Sequence, residues 1–413
     1  MSSERSASVV GRFAASLSVL ALMALVSACG SETQQDADAQ GSQERQQKQQ
    51  QHQEAGSPGG GEQPTNIGRQ PEVVVNGSSY VSPLTEIFGD VFIGRGNFVA
   101  ASSVMRAAPG QRVELGDKTT VQDNIVVRAQ DKNVTIGDES NLGHHAIVRD
   151  SQVGNAAYIG YNTEIQDSSV GNGALVYHGA RVEGVEIPDD SYVGAGEVVT
   201  EQAAADDLPT VEEVGVDEYY QEALLDIHDE LTQGYIDLYE KEGYDAVMEV
   251  APNPETSFNP EQTEPQIAEN VELDEFVRAV GDVRIAKNSS VGRRTAIRAD
   301  EGSPIVIGPG ASIDDRVTFH AVKGTDVRVG EFLVVDDDAV LHGPLEAGNR
   351  VFIGEEAVVF RARLGDDVRI GEGAIIVGPE GPADKIMEIP DDTLVPAGAV
   401  ITTEEDVRAL KEG

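Results

Sequence analysis

From about residue 73 onward, aliphatic positions recur every six residues. Ile136 and Gly137 are followed by Leu142 and Gly143, and Val153 and Gly154 by Ile159 and Gly160. In the second half Ile285 and Ala286 lead to Val291 and Gly292, and Leu364 and Gly365 to Ile370 and Gly371. A helix repeats roughly every 3.6 residues and a half-buried strand every two, so neither fits this beat. A three-sided coil does fit: each side turns one aliphatic inward, and a small neighbour lets the chain bend. Three such sides take about 18 residues, with coils stacked at the β spacing of about 4.8 Å.

The pattern occurs twice. "IPDDSYVGAGEVVTEQ" at 187–202 parallels "IPDDTLVPAGAVITTE" at 389–404, each closing its own run of coils. The expected domains are a coil stack at 73–200, a helix and linker at 201–264, and a second stack at 265–413. Tyr220, Leu224, Ile227, Leu231, Tyr235 and Leu238 follow a three-to-four spacing. That spacing predicts an amphipathic helix lying along the outside of the first stack. Pro252, Pro254 and Pro260 then mark the linker.

The N-terminal segment is not part of this fold. Arg5 and Arg12 precede "LSVLALMALVSAC", an apolar run too short to span a membrane and ending in small residues. Val26, Ser27, Ala28 and Cys29 resemble a bacterial lipobox, which implies a signal peptide at 1–28 and a lipid anchor on Cys29. Cys29 is the sole cysteine, which excludes an intrachain disulfide and a thiolate metal site. Residues 29–72 are Gln-rich and broken by Gly and Pro, the composition of a disordered tether that leaves His52 solvated.

Charge narrows the partners. The chain carries 72 acidic and 30 basic side chains and a net charge of −42. Such a field repels nucleic acid and anionic surfaces and suits the outer, extracytoplasmic face of a bacterial cell.

The six-residue beat resembles that of hexapeptide-repeat proteins, whose fold is a left-handed parallel β-helix. The implied architecture is therefore two tandem left-handed parallel β-helices with an α-helix after the first. Within that group "AIRADEGSPIVIG" at 296–308, "FHA" at 319–321 and "LHGP" at 341–344 resemble the gamma-class carbonic anhydrases in order and spacing. That family assembles three β-helices, with a metal between neighbours held by two histidines of one and a third of the next.

The resemblance implies a division of labour. His320 and His342 match the paired metal-binding histidines in the second copy, where Asp337 replaces the bridging one. In the first copy "NLGHHAIVRD" places His144 at the bridging position, and Arg128 and Arg149 replace the pair. One three-histidine site, His144 with His320 and His342, is expected where the copies meet. The opposite contact would bring Arg128 and Arg149 to Asp337. Arg298 and Asp300 match the family's interfacial ion pair, and Glu301 matches its acid beside the metal-bound water. The first copy has Arg106 but then Ala108 and Pro109; it keeps Gln122, in "TVQDN", at a water-binding position where the second has Asp314. His228 falls on the family's active-site Asn, where it would relay protons or simply be a half-buried helix residue. His145 and His178 read as surface positions. The family's acidic shuttle loop is missing, since "HAVKGTDVRVG" is too short.

The implied activity is reversible hydration of CO2 to bicarbonate by water ionised on Zn2+, with Fe2+ or Co2+ as alternative metals. A trimer-like assembly of β-helices, within or between chains, goes with it. Two other readings stay open. A hexapeptide acyltransferase would need an acyl-CoA donor, which an extracytoplasmic lipoprotein does not meet. An inactive β-helix scaffold would carry no metal.

Overall fold

The computed structural model describes residues 74–75, 77–215, 219–379 and 385–410. Cys29, His52, the signal segment and the Gln-rich tract lie outside them. The described chain is built around two left-handed parallel β-helices. The first has three seven-stranded sheets, each strand only two to four residues long. The second has one seven-stranded sheet and one of thirteen strands. The larger sheet arises because the strands Val340–Ala347 and Val358–Leu364 run around a corner and join two faces.

The inward aliphatics account for the coil. Ile136, Leu142, Val148, Val153, Ile159, Ile165, Val170, Val176 and Val182 all lie in the first core. Their spacing is six, six, then five, so a coil takes 17 residues here instead of 18, and one side is a residue short. Around His320 the repeat is 22 residues, because a turn is inserted in each coil. One corner of the first solenoid is built from Asn124, His145 and Asn162, with φ of 61°, 62° and 50°. Asn and His tolerate this left-handed conformation better than most residues. Gly179 continues the same corner, and a Cβ there would overlap the Ile375 side chain of the second solenoid.

The solenoids meet along this corner. Tyr158, Tyr161, Leu175 and Tyr177 of the first pack on Val340, Val358, Phe360, Ile375 and Val377 of the second. The corner side chains add polar contacts: Asn124 donates to Thr318 Oγ1 at 3.2 Å and Asn162 to the Glu356 carbonyl at 2.7 Å. Arg294 and Glu86 pair across the same boundary.

The helix Tyr219–Glu242 sits on the first solenoid, with Leu231, Tyr235 and Leu238 packed on Tyr80, Phe98 and Ala100. The chain then crosses to the second solenoid, where the strand Val250–Ala251 pairs with Ala279 and Val280. Its continuation is tied down by Ser257, which donates to Glu230 of the helix at 2.7 Å, and by Asn259, which donates to the Asp300 carbonyl at 3.2 Å.

Candidate metal centre

Strand register builds half of the centre. His320 ends the strand Thr318–His320 and pairs directly with His342 on the next coil. The two rings lie one coil apart and meet edge to face, with centroids 5.0 Å apart. Arg298 precedes them in the same column. The other half comes from the corner of the first solenoid, where His144 follows Leu142 and Gly143. Its ring centroid lies 5.1 Å from that of His320 and 5.8 Å from that of His342. All three are buried, and one ligand atom of each lies within 4.8 Å of the others.

The nitrogens are oriented for ligation. His342 Nδ1 donates to the Gly343 carbonyl at 3.1 Å, which leaves Nε2 as the donor atom. His144 Nδ1 faces Asp123 Oδ2 at 3.4 Å, so its Nε2 points inward, 3.2 Å from His320 Nδ1. Two ligands at about 2.0–2.1 Å from a tetrahedral zinc stand about 3.3–3.4 Å apart, so this spacing fits the ion. His144 Nδ1, His320 Nε2, Asp300 Oδ1 and Glu301 Oε1 have no aligned hydrogen-bond partner. Buried polar atoms are seldom left so. Two of them, His144 Nδ1 and His320 Nε2, face the carboxylates of Asp123 and Glu301, which leaves His144 Nε2 and His320 Nδ1 turned toward each other.

Burial acts against protonation of two of the rings. Burial lowers the pKa of His144 to about 3, against the opposing pull of Asp123, and lowers that of His342 well below the usual value. Neutral imidazole is the metal-binding form. Glu301 is also buried, which works to raise its pKa, yet the nearby His320 outweighs this and holds it down as a carboxylate. Its Oε2 accepts the Lys323 N–H at 2.8 Å, and its Oε1 lies 3.1 Å from His320 Nε2.

Arg298 ties the two solenoids together at the centre. It donates to Asp123 Oδ2 at 2.8 Å and to Gln122 Oε1 at 2.9 Å, both on the first solenoid, and to Asp300 Oδ2 at 3.1 Å on its own. Burial works against its charge, but Asp300, Asp123 and Tyr235 outweigh that and hold it firmly. Asp300 Oδ2 also accepts the Tyr235 hydroxyl at 2.6 Å, which links the helix to the second solenoid.

Gln122 therefore has its carbonyl oxygen on Arg298, and its Nε2 lies 3.0 Å from His228 Nε2. The other nitrogen of His228, Nδ1, is 3.0 Å from Thr120 Oγ1. Burial lowers the pKa of this imidazole to about 4.

His144, His320, His342, Glu301, Arg298, Asp300, Gln122 and His228 thus share one buried region. Arg128 and Arg149 stand apart on another face: Arg128 donates to Gln130, and Arg149 to Glu164. Asp337 accepts the Asp315 N–H instead. Two expectations are corrected. His145 is buried at the boundary, with Nε2 2.9 Å from Thr318 Oγ1 and Nδ1 3.5 Å from Asp338. His178 is fully buried and stacks on Tyr161 at 4.2 Å. They sit on adjacent columns of the corner that the second solenoid covers.

Sequence patterns did not single out Asp123, Tyr161 or Phe360, and they gave Tyr235 only a place in the apolar stripe of the helix. Tyr161 stacks on His342 at 4.9 Å, and Phe360 meets the same ring edge-on at 4.9 Å. The coil period could have found Tyr161, since Asp123, His144, Tyr161 and His178 are successive members of one column.

No family model matches the chain. It is 27% identical over 187 residues to a carbonic anhydrase of Methanosarcina thermophila, covering 41% of this chain and 72% of that protein. The carboxysome assembly protein CcmM of Synechocystis sp. is 35% identical over 159 residues, which is 36% of this chain and 22% of that protein. A mitochondrial gamma carbonic anhydrase 1 of Arabidopsis thaliana is 32% identical over 82 residues, 18% of this chain and 30% of that one. Among solved structures, a hexapeptide transferase family protein from Anaplasma phagocytophilum aligns at 22% identity and a TM-score of 0.33, over 39% of this chain and 90% of that chain. The likeness is to gamma-type carbonic anhydrases and to hexapeptide-repeat proteins.

Proposed function

We propose that this chain hydrates CO2 reversibly to bicarbonate at a divalent ion, zinc in the first instance, held by His144, His320 and His342. The observation that carries this reading is the convergence of three buried imidazoles from two solenoids of one chain. Similarity to a carbonic anhydrase over 72% of that protein supports it.

When bound, the ion supplies a Lewis acid and a water acidified to near neutrality. The protein's part is orientation and proton handling. Asp123 and the Gly343 carbonyl fix the rings of His144 and His342. Arg298 holds the two halves in register through Asp123 and Asp300. Glu301 is the proton acceptor, through Oε1, because Oε2 is taken by the Lys323 N–H.

Elemental analysis with stopped-flow CO2 hydration tests the reading. One zinc per chain with activity is the expected outcome. A folded protein that takes up no metal and hydrates no CO2 would instead support a scaffold role, which the assembly protein among its relatives makes worth testing. Cys29 is proposed as the lipidation site, and Cys29→Ser should move the protein from the membrane fraction to the soluble one.

A further inference from the structure

We infer that His228 is a positioning residue that locks the side-chain amide of Gln122 as a hydrogen-bond donor beside the three-histidine centre. This rests on reading that centre as the site of CO2 hydration. The donors and acceptors leave little freedom. Gln122 Oε1 accepts from the Arg298 guanidinium, which has no acceptor to offer, so the amide is fixed with its Nε2 on the opposite side. That Nε2 can only donate, and it points at His228 Nε2 from 3.0 Å. The imidazole must therefore present a lone pair at Nε2 and carry its hydrogen on Nδ1, where Thr120 Oγ1 accepts it at 3.0 Å.

Flipping the amide would set its NH2 against the guanidinium, donor against donor. One amide hydrogen is spent on His228, which leaves one for an oxygen of the substrate, as bicarbonate offers. The imidazole is itself held in place. It is 3% exposed, it stacks on Phe98 with centroids 5.8 Å apart and planes 7° apart, and its own carbonyl accepts the Thr232 hydroxyl. With both ring nitrogens engaged and no exposed edge, the ring is built to orient a neighbour, whereas a proton relay needs a nitrogen free to pass the proton on.

The test uses the full, metal-loaded chain with His228→Leu and His228→Asn. Nitrogen NMR of the native protein should show His228 with its hydrogen on Nδ1 and no titration through the neutral range. His228→Leu should lower kcat/KM about tenfold or more at unchanged zinc content, the range for a group acting through a neighbour. Added imidazole should not restore it. His228→Asn, whose carbonyl can still accept from Gln122, should recover most of the loss. An Nε2–H ring, a ring that titrates near neutrality, or rescue of His228→Leu by imidazole would overturn the inference in favour of a relay. If the protein hydrates no CO2 at all, the functional reading fails separately. The Gln122 NH2 resonances should still shift in His228→Leu, and their failure to do so would overturn the inference itself.

Discussion

The two solenoids share a backbone plan and have divided the chemistry column by column. On the second, the sheet column Arg298, His320, His342 and Phe360 is buried against its neighbour. The register-equivalent column on the first is Arg106, Arg128 and Arg149, with Arg106 and Arg128 exposed and Arg149 partly so. At the corner the roles reverse. The first solenoid presents Asp123, His144, Tyr161 and His178, buried under the second. The second presents Asp315, Asp337, Glu355 and Glu372, which face solvent or are half-exposed. The covered columns hold histidines and aromatics beside one paired charge, Arg298 with Asp123, whereas the uncovered ones are charged throughout. Beyond the first member of each column, which is Arg or Asp in both solenoids, side chains at equivalent positions therefore differ in kind because only one of each pair of faces is covered within the chain.

Deleting one imidazole should expose this division most sharply. His144→Ala should empty the centre as completely as His320→Ala or His342→Ala, with zinc per chain and CO2 hydration both falling to background. Asp337→Ala, at the corresponding corner of the second solenoid, should leave the metal in place. Loss of metal in Asp337→Ala with retention in His144→Ala would reverse the assignment.

Next in size is Glu301→Gln, which removes a proton acceptor and should cost about 10²–10⁴ in CO2 hydration rate, the usual worth of general acid–base help. Zinc content, measured on the same samples, should not change. A parallel loss of zinc would make Glu301 a ligand.

A third contrast compares equivalent arginines. Arg298→Met strands Asp123 and Asp300 without their counter-charge in a buried setting and should cost about 3–5 kcal/mol in denaturant unfolding. Arg106→Met, at the matching but exposed position, should stay within about 0.5 kcal/mol. Similar costs for the two would mean that burial does not decide what these positions contribute.

The smallest effect concerns pH. Burial lowers the pKa of both His144 and His178 to about 3, and that of His228 to about 4. The unfolded chain binds these protons near the ordinary histidine value of about 6.5. The stability tied to keeping the rings neutral is therefore complete above that value. It is lost progressively as pH falls from there toward 3–4, because the unfolded state takes up protons that the folded state refuses. His178 is not among the three histidines of the candidate centre, so His178→Phe should flatten the fall in unfolding free energy between neutral and mildly acidic pH without altering zinc content.

The six-residue beat made the coils legible because each inward position is set by local geometry, repeated as far as Ile401. The pairing of His320 with His342 was legible for the same reason: residues a whole coil apart in one column must be neighbours. The helix Tyr219–Glu242 could be placed on the first solenoid from its apolar stripe. The pairing of His144 with His320 and His342 came from resemblance, not from periodicity.

Other features depended on which faces meet. His145 and His178 looked like surface residues because a corner column points away from its own core. The second solenoid, docking through Val340, Val358 and Ile375, covers that corner and sets Thr318 on His145 and Phe360 on His178. The partners of His228 are likewise more than 100 residues away, on Thr120 and Gln122. Sequence alone determined the solenoids, because a periodic constraint acts between neighbouring coils and leaves its mark in every repeat. The centre was decided by tertiary structure, because contact between two separate solenoids has no period along the chain, and only docking excludes water from the three imidazoles.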